Sequence, residues 1–142
     1  MKLRLPNSDQ TVVLKGKLDR IDLCDGLIRI IDYKTGKVEK RNLEIIEWSS
    51  IIESYDYSKA FQLLCYSYMY LSGSPIEHIK AGIFSIKNLK EGLMLFYKKS
   101  SPRDPKKDPM INKEIIKEFE IHLYQLIEEI LNPEIPFVEK EI

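Results

Sequence analysis

Apolar and polar residues alternate loosely from Thr11 to Leu23, in a run rich in Val, Leu and Ile, and the pattern predicts one long strand. A second run, Leu27 to Tyr33, carries Leu-Ile-Arg-Ile-Ile, which predicts a strand buried on one face and on part of the other. Between them stands Asp25-Gly26, the pair that suits a type I′ turn, where both central residues take a positive φ. A two-residue turn there sets the register. Facing residues sum to 51, so Cys24 faces Leu27, Asp22 faces Arg29 and Asp19 faces Asp32. Lys34 falls on the Asp32 face, one pleat along. On the opposite face Asp22, Arg29 and the diagonal Arg20 form a charge ladder that fixes register more than it stabilises.

The flanking segments follow other periods. Lys2 to Leu5 predicts a short strand, followed by a turn at Pro6 to Asp9. Lys37 to Asp56 is a long connection with hidden structure or a function, and Trp48 is expected to anchor it to the core rather than to stack on a base. From Tyr57 to Leu71 the spacing turns helical: Phe61, Leu64, Cys65, Tyr68 and Leu71 mark a buried stripe, with Ser58 as the expected N-cap and Gly73 as the stop. Gln62 and Tyr66 stand four apart and project side by side. Ser74-Pro75 breaks the chain. Ile79 to Ile86 predicts a third core strand, Asn88 to Gly92 a turn, and Leu93 to Tyr97 a fourth strand antiparallel to the third. Lys98 to Lys107 is a basic loop that serves solubility or touches a phosphate backbone. A last amphipathic helix opens near Asn112 and runs to Leu131, with Ile115, Ile116, Phe119, Leu123, Leu126, Ile127 and Ile130 on its apolar side, before Pro133 and Pro136.

Bulk properties narrow the classes. At 142 residues the chain supports one domain with a proper core. A formal net charge of zero rules out a chain that binds nucleic acid by overall charge, so such binding needs a local patch. Two cysteines, Cys24 and Cys65, are too few for a disulfide framework and predict reduced thiols in a cytoplasmic protein. No apolar run is long enough for a membrane helix, and no signal peptide opens the chain. His78 and His122 sit in structural contexts, and neither a Ser/His/Asp nor a Cys/His arrangement is visible.

What remains is the facing acid pair. Carboxylates about 4.5–5.5 Å apart across two strands repel, and one has its pKa raised unless a cation lies between them. A divalent ion gives that arrangement a purpose, because Mg²⁺ prefers carboxylate oxygens and keeps positions open for water and phosphate. Lys34 beside it could orient a water or neutralise charge developing on a phosphate. A plain surface ladder, with Lys34 satisfying Asp32, stays open on spacing alone.

Three stretches in order, Gly16-Lys17-Leu18-Asp19-Arg20-Ile21-Asp22, Ile30-Ile31-Asp32-Tyr33-Lys34-Thr35-Gly36 and Gln62-Leu63-Leu64-Cys65-Tyr66, resemble the PD-(D/E)XK nuclease superfamily, most of all its RecB-like and AddB-like branch. The resemblance implies an α/β (α+β) fold, with a restriction-endonuclease-like mixed central β-sheet, an antiparallel hairpin and flanking helices. It implies Asp19 and Asp32 as metal ligands, with the Tyr33 carbonyl as a third oxygen, and Lys34 as the catalytic lysine. Gln62 and Tyr66 match the helix motif that borders the site. The implied cofactor is Mg²⁺ (or Mn²⁺), and the implied reaction is phosphodiester hydrolysis in DNA, as an exonuclease domain of a recombination or repair helicase–nuclease; a catalytically inactive module of the same fold is the alternative. DNA and a helicase domain or subunit are the implied partners, with no membrane. The family places a helix bearing an acidic residue or a histidine ahead of the first strand. Ahead of Asp19 this chain has neither His nor Glu, only Asp9 in a turn, so residues 1–142 are expected to be a single domain forming the C-terminal portion of a longer protein.

Overall fold

The structure is a computed structural model and describes residues 1–105 and 108–139. In chain order its strands and helices are β1 (Lys2–Arg4), β2 (Thr11–Val13), β3 (Arg20–Cys24), β4 (Leu27–Lys34), β5 (Glu44–Ile45), α1 (Ser50–Glu53), α2 (Ser58–Leu71), β6 (His78–Ser85), β7 (Met94–Leu95), β8 (Tyr97–Lys98), β9 (Ile111–Asn112) and α3 (Lys113–Leu131). The central mixed sheet runs β3-β4-β6-β7, with β9 also paired to β6. β4 is antiparallel to β3 and parallel to β6. Its parallel neighbour needs a crossover connection, which α1 and α2 supply. This is the α+β, restriction-endonuclease-like arrangement expected, with a mixed sheet and flanking helices.

The hairpin follows the predicted register. Arg20 faces Ile31, Asp22 faces Arg29 and Cys24 faces Leu27. Asp25 and Gly26 take φ of 51° and 78°, the left-handed pair that a type I′ turn needs. Arg29 clamps Asp22 in a bidentate pair at 2.7 and 2.8 Å, and Arg20 adds a contact at 3.1 Å. β4 lies inside the sheet, which is why Ile30, Ile31 and Asp32 are all buried in succession.

Thr11 to Leu23 is not one strand. β2 turns back onto β1 in a separate hairpin, and β3 begins only at Arg20. Residues 14–19 leave the sheet because Leu14 and Leu18 pack on the core while Gly16 passes against α2. The predicted Leu93–Tyr97 strand also divides. β7 pairs antiparallel with β6 as expected, but β8 pairs with β5, and the fully buried Phe96 marks the switch between sheets.

α2 fills the face of β4 that carries Ile30. Leu64, Cys65, Tyr68 and Leu71 are buried as the spacing predicted, Leu63 is buried as well, and Phe61 is half-buried and meets Phe119 of α3 edge-on at 5.6 Å. Ser58 does not cap this helix. Tyr55–Tyr57 form a 3₁₀ turn that leads straight into it, so Ser58 is already helical and the N-cap position falls on Tyr57. Asn112 does cap α3, its side chain accepting from Ile115 N–H. In the apolar stripe of α3, Ile116, Phe119 and Leu123 are buried, whereas Ile130 near its end is 49% exposed. Trp48 anchors the long connection as expected: it packs on the core, stacks on His122 at 6.3 Å and lies under Lys98 Nζ.

Candidate active site

Two adjacent backbone segments bring the acids together. The β3–β4 ladder ends at Arg20 and Ile31, so Asp19 lies just outside the strand. Its carboxylate replaces the missing ladder partner: Asp19 Oδ2 accepts the Tyr33 N–H at 3.0 Å. That hydrogen bond pushes the Asp19 pKa down, helped by the neighbouring Asp32 side chain. Asp32 goes the other way. Its side chain is only 6% exposed, and burial raises its pKa, opposed by Lys34 and reinforced by Asp19. The two carboxyls are split as a close like-charged pair should be.

Lys34 occupies the gap beside them. Its Nζ lies 2.8 Å from Asp32 Oδ2 and donates to Gln62 Oε1 at 2.6 Å. The Asp32 contact has the distance of an ion pair but not the angles of a hydrogen bond, and Asp32 Oδ2 has no hydrogen-bond partner. Gln62 Nε2 in turn donates to Tyr66 OH at 2.8 Å. An ammonium has three N–H donors; Gln62 accepts one, and Asp32 attracts the group as an ion pair. The side-by-side projection of Gln62 and Tyr66, one helical turn apart, thus builds a relay from α2 to the hairpin. Tyr33 contributes backbone here while its ring serves the other face, against Phe84 at 6.0 Å with its hydroxyl accepting from Arg20 at 3.3 Å.

A model of the PD-(D/E)XK nuclease superfamily matches residues 2–141. The chain belongs to the PD-(D/E)XK nuclease superfamily. No curated protein and no solved structure gives a significant match. Members of this superfamily are nucleases that generally use divalent metal ions, and such a domain is expected to bind DNA. No helix among the described residues is long and apolar enough to cross a membrane.

The donor set fits a hard divalent cation. Asp32 Oδ2 is a buried carboxylate oxygen lacking a hydrogen bond, and a second carboxylate, Asp19, stands next to it. Among the described residues no group of three or more His, Cys, Asp and Glu comes together as a metal cluster. Two carboxylates, with water and phosphate oxygens completing the shell, is a set that Mg²⁺ accepts and Zn²⁺ does not favour.

Two cations of the basic loop, Lys98 and Lys99, are accounted for without nucleic acid. Lys98 Nζ donates to the Ile46 and Lys99 carbonyls, and buried Lys99 pairs with Glu44 at 3.1 Å. Arg103 is exposed, whereas Lys106 and Lys107 lie outside the described residues. What the sequence did not reveal is the partner of Gly16. Its only signal was a residue without a side chain placed between two lysines, three positions before Asp19.

Proposed function

We propose that this chain is a metal-dependent DNA nuclease in which Asp19, Asp32 and the Tyr33 carbonyl hold Mg²⁺ or Mn²⁺ and Lys34, Gln62 and Tyr66 complete the site. The observation that carries this reading is the Lys34 ammonium, held 2.8 Å from Asp32 Oδ2 by Gln62 and set beside two adjoining carboxyls. When bound, the ion supplies Lewis-acid stabilisation of the phosphate and a water made acidic enough to attack. The protein's own groups do the rest. Asp32 would hold the ion through its carboxylate, beside the Lys34 ammonium. Lys34 directs an N–H that Gln62 does not use at the attacking water or a non-bridging phosphate oxygen, where negative charge grows in the transition state. Gln62 fixes the ammonium in place, so the charge is oriented before the substrate arrives.

The finer reading is an exonuclease domain of a cytoplasmic recombination or repair protein of the helicase–nuclease type, with a helicase as its partner in the parent protein. It is supported by the order and spacing of the three motifs, and by two free thiols suited to a reducing compartment. End-labelled linear DNA, single- and double-stranded, should lose terminal nucleotides with Mg²⁺ or Mn²⁺ present, while covalently closed circles stay intact. Cleavage that survives Asp32→Ala would refute the site, and nicking of closed circles would refute the exonuclease. A binding module without catalysis is the second reading, favoured by the lack of a three-ligand cluster among the described residues. DNA bound with no cleavage in either metal would establish it.

A further inference from the structure

Gly16 touches the relay. A Cβ built on it would lie 2.6 Å from Tyr66 Cε1 and 2.9 Å from Met69 Cε. The second neighbour is the far end of a flexible side chain and can move; the first belongs to a ring whose hydroxyl is held by Gln62. The glycine is not required by backbone conformation, since the left-handed glycines are Gly26, Gly73 and Gly92. Gly16 is therefore bare because of what it lies against. A cavity of about 220 Å³, lined by Gly16, Leu18, Tyr66, Met69 and Tyr70, adjoins the contact. That space gives the Tyr66 ring somewhere to go if it is pushed.

We propose that Gly16 is a positioning residue: its missing side chain seats the Tyr66 ring so that Tyr66 holds Gln62, and Gln62 holds Lys34 against Asp32. The catalytic meaning rests on the nuclease reading above, but the seating is a property of the fold alone. One added methyl displaces the ring toward the adjoining cavity, stretches the 2.8 Å bond to Gln62 and releases the ammonium. The same loop delivers Asp19 three residues later, so a single contact with α2 sets the approach of one acid and the anchor of the lysine.

The test combines Gly16→Ala, Gln62→Ala and their double variant. Gly16→Ala should lower kcat about tenfold or more, leave KM for DNA and Mn²⁺ affinity by calorimetry within twofold, and shift the Lys34 ammonium resonance in heteronuclear NMR toward its position in Gln62→Ala. In the Gln62→Ala background the same substitution should cost less than twofold in kcat, because the relay is already cut. An undiminished penalty there, or a Lys34 resonance unmoved by Gly16→Ala, overturns the proposal. Should Gly16→Ala not fold, Tyr66→Phe keeps the ring and removes the hydroxyl. It should reproduce the Lys34 shift, and a silent Tyr66→Phe overturns the proposal equally. If the wild-type protein cleaves no DNA, the nuclease reading falls, while the Lys34 resonance still decides the seating.

Discussion

Asp32→Asn should make the metal-free protein more stable and the metal-loaded protein less so. In the absence of metal, Asp32 combines three unfavourable features: a nearly buried carboxylate, an Oδ2 without a hydrogen bond, and Asp19 as a like-charged neighbour. Leaving such a group unsatisfied costs about 1–3 kcal/mol. Asparagine removes the charge at nearly the same volume. What it forfeits is the attraction to Lys34, which is 26% exposed and keeps its hydrogen bond to Gln62, so the loss is about 1 kcal/mol. The net gain is about 0–2 kcal/mol. With an unfolding entropy of about 0.3 kcal/mol/K for a chain of this size, that raises Tm by up to about 7 °C. Adding 50 mM Mg²⁺ should reverse the order. A site with a Kd of about 1 mM then stabilises the wild type by about 2.3 kcal/mol and leaves the variant unmoved. The pH dependence has a definite sign. A carboxyl whose pKa is raised by folding favours the folded state below its unfolded pKa of about 4, and that contribution drains away as pH rises through the folded value. The Tm difference between variant and wild type should therefore widen from about pH 4 toward neutrality without metal. Thermal denaturation with and without Mg²⁺ checks all of this. A metal-free variant that melts below the wild type at pH 7, or one that Mg²⁺ stabilises equally, would refute the reasoning.

Lys34→Ala should abolish cleavage, by about 10³-fold or more, while calorimetry still detects Mn²⁺, because the acids remain and only the oriented charge is lost. Gly26→Ala has open space around its Cβ, so it isolates backbone strain at φ 78°: stability should fall by about 1–2 kcal/mol in denaturant titrations, with activity per folded molecule unchanged. Lys99→Met removes a buried ammonium that faces Glu44 and should cost about 3 kcal/mol, most of it recovered by adding Glu44→Gln. The salt dependence of DNA affinity should not change in that double variant, since Lys99 is turned inward.

The parts of this protein that were legible in its sequence are those fixed by short-range rules. Asp25-Gly26 dictated the turn, the turn dictated the register, and the register placed Asp22 on Arg29 and pointed Asp32 and Lys34 to one face. The helical periods of 57–71 and 112–131 carried α2 and α3 because each buries one stripe. Errors entered where tertiary contacts outvoted local pattern. Thr11 to Leu23 has strand composition throughout, yet Leu14 and Leu18 are needed by the core and pull the chain out of the sheet. Leu93 to Tyr97 alternates like one strand, but Phe96 is claimed by the interior and its neighbours pair with different sheets. Charge in a loop said least, because Lys98 and Lys99 find carbonyls and a carboxylate distant in sequence.

The same division runs through the site. Spacing put Asp32 and Lys34 on one face, but Asp19 lies beyond the last paired residues and reaches the site through the Tyr33 N–H, and spacing could not say what else holds Lys34. The answer lies across a sequence gap of 28 residues, in Gln62. A lysine paired only with Asp32 would neutralise the acid and compete with a metal ion for the same oxygen. A second acceptor on α2 shares the ammonium, and in the proposed site this lowers its competition with an ion for Asp32 Oδ2, which has no hydrogen bond. The surface-ladder interpretation accounts for an Asp–Lys contact, but it gives no reason for a buried oxygen to be kept without a hydrogen bond beside a well-bonded lysine. The proposed metal site, in which that oxygen would hold an ion, does give one.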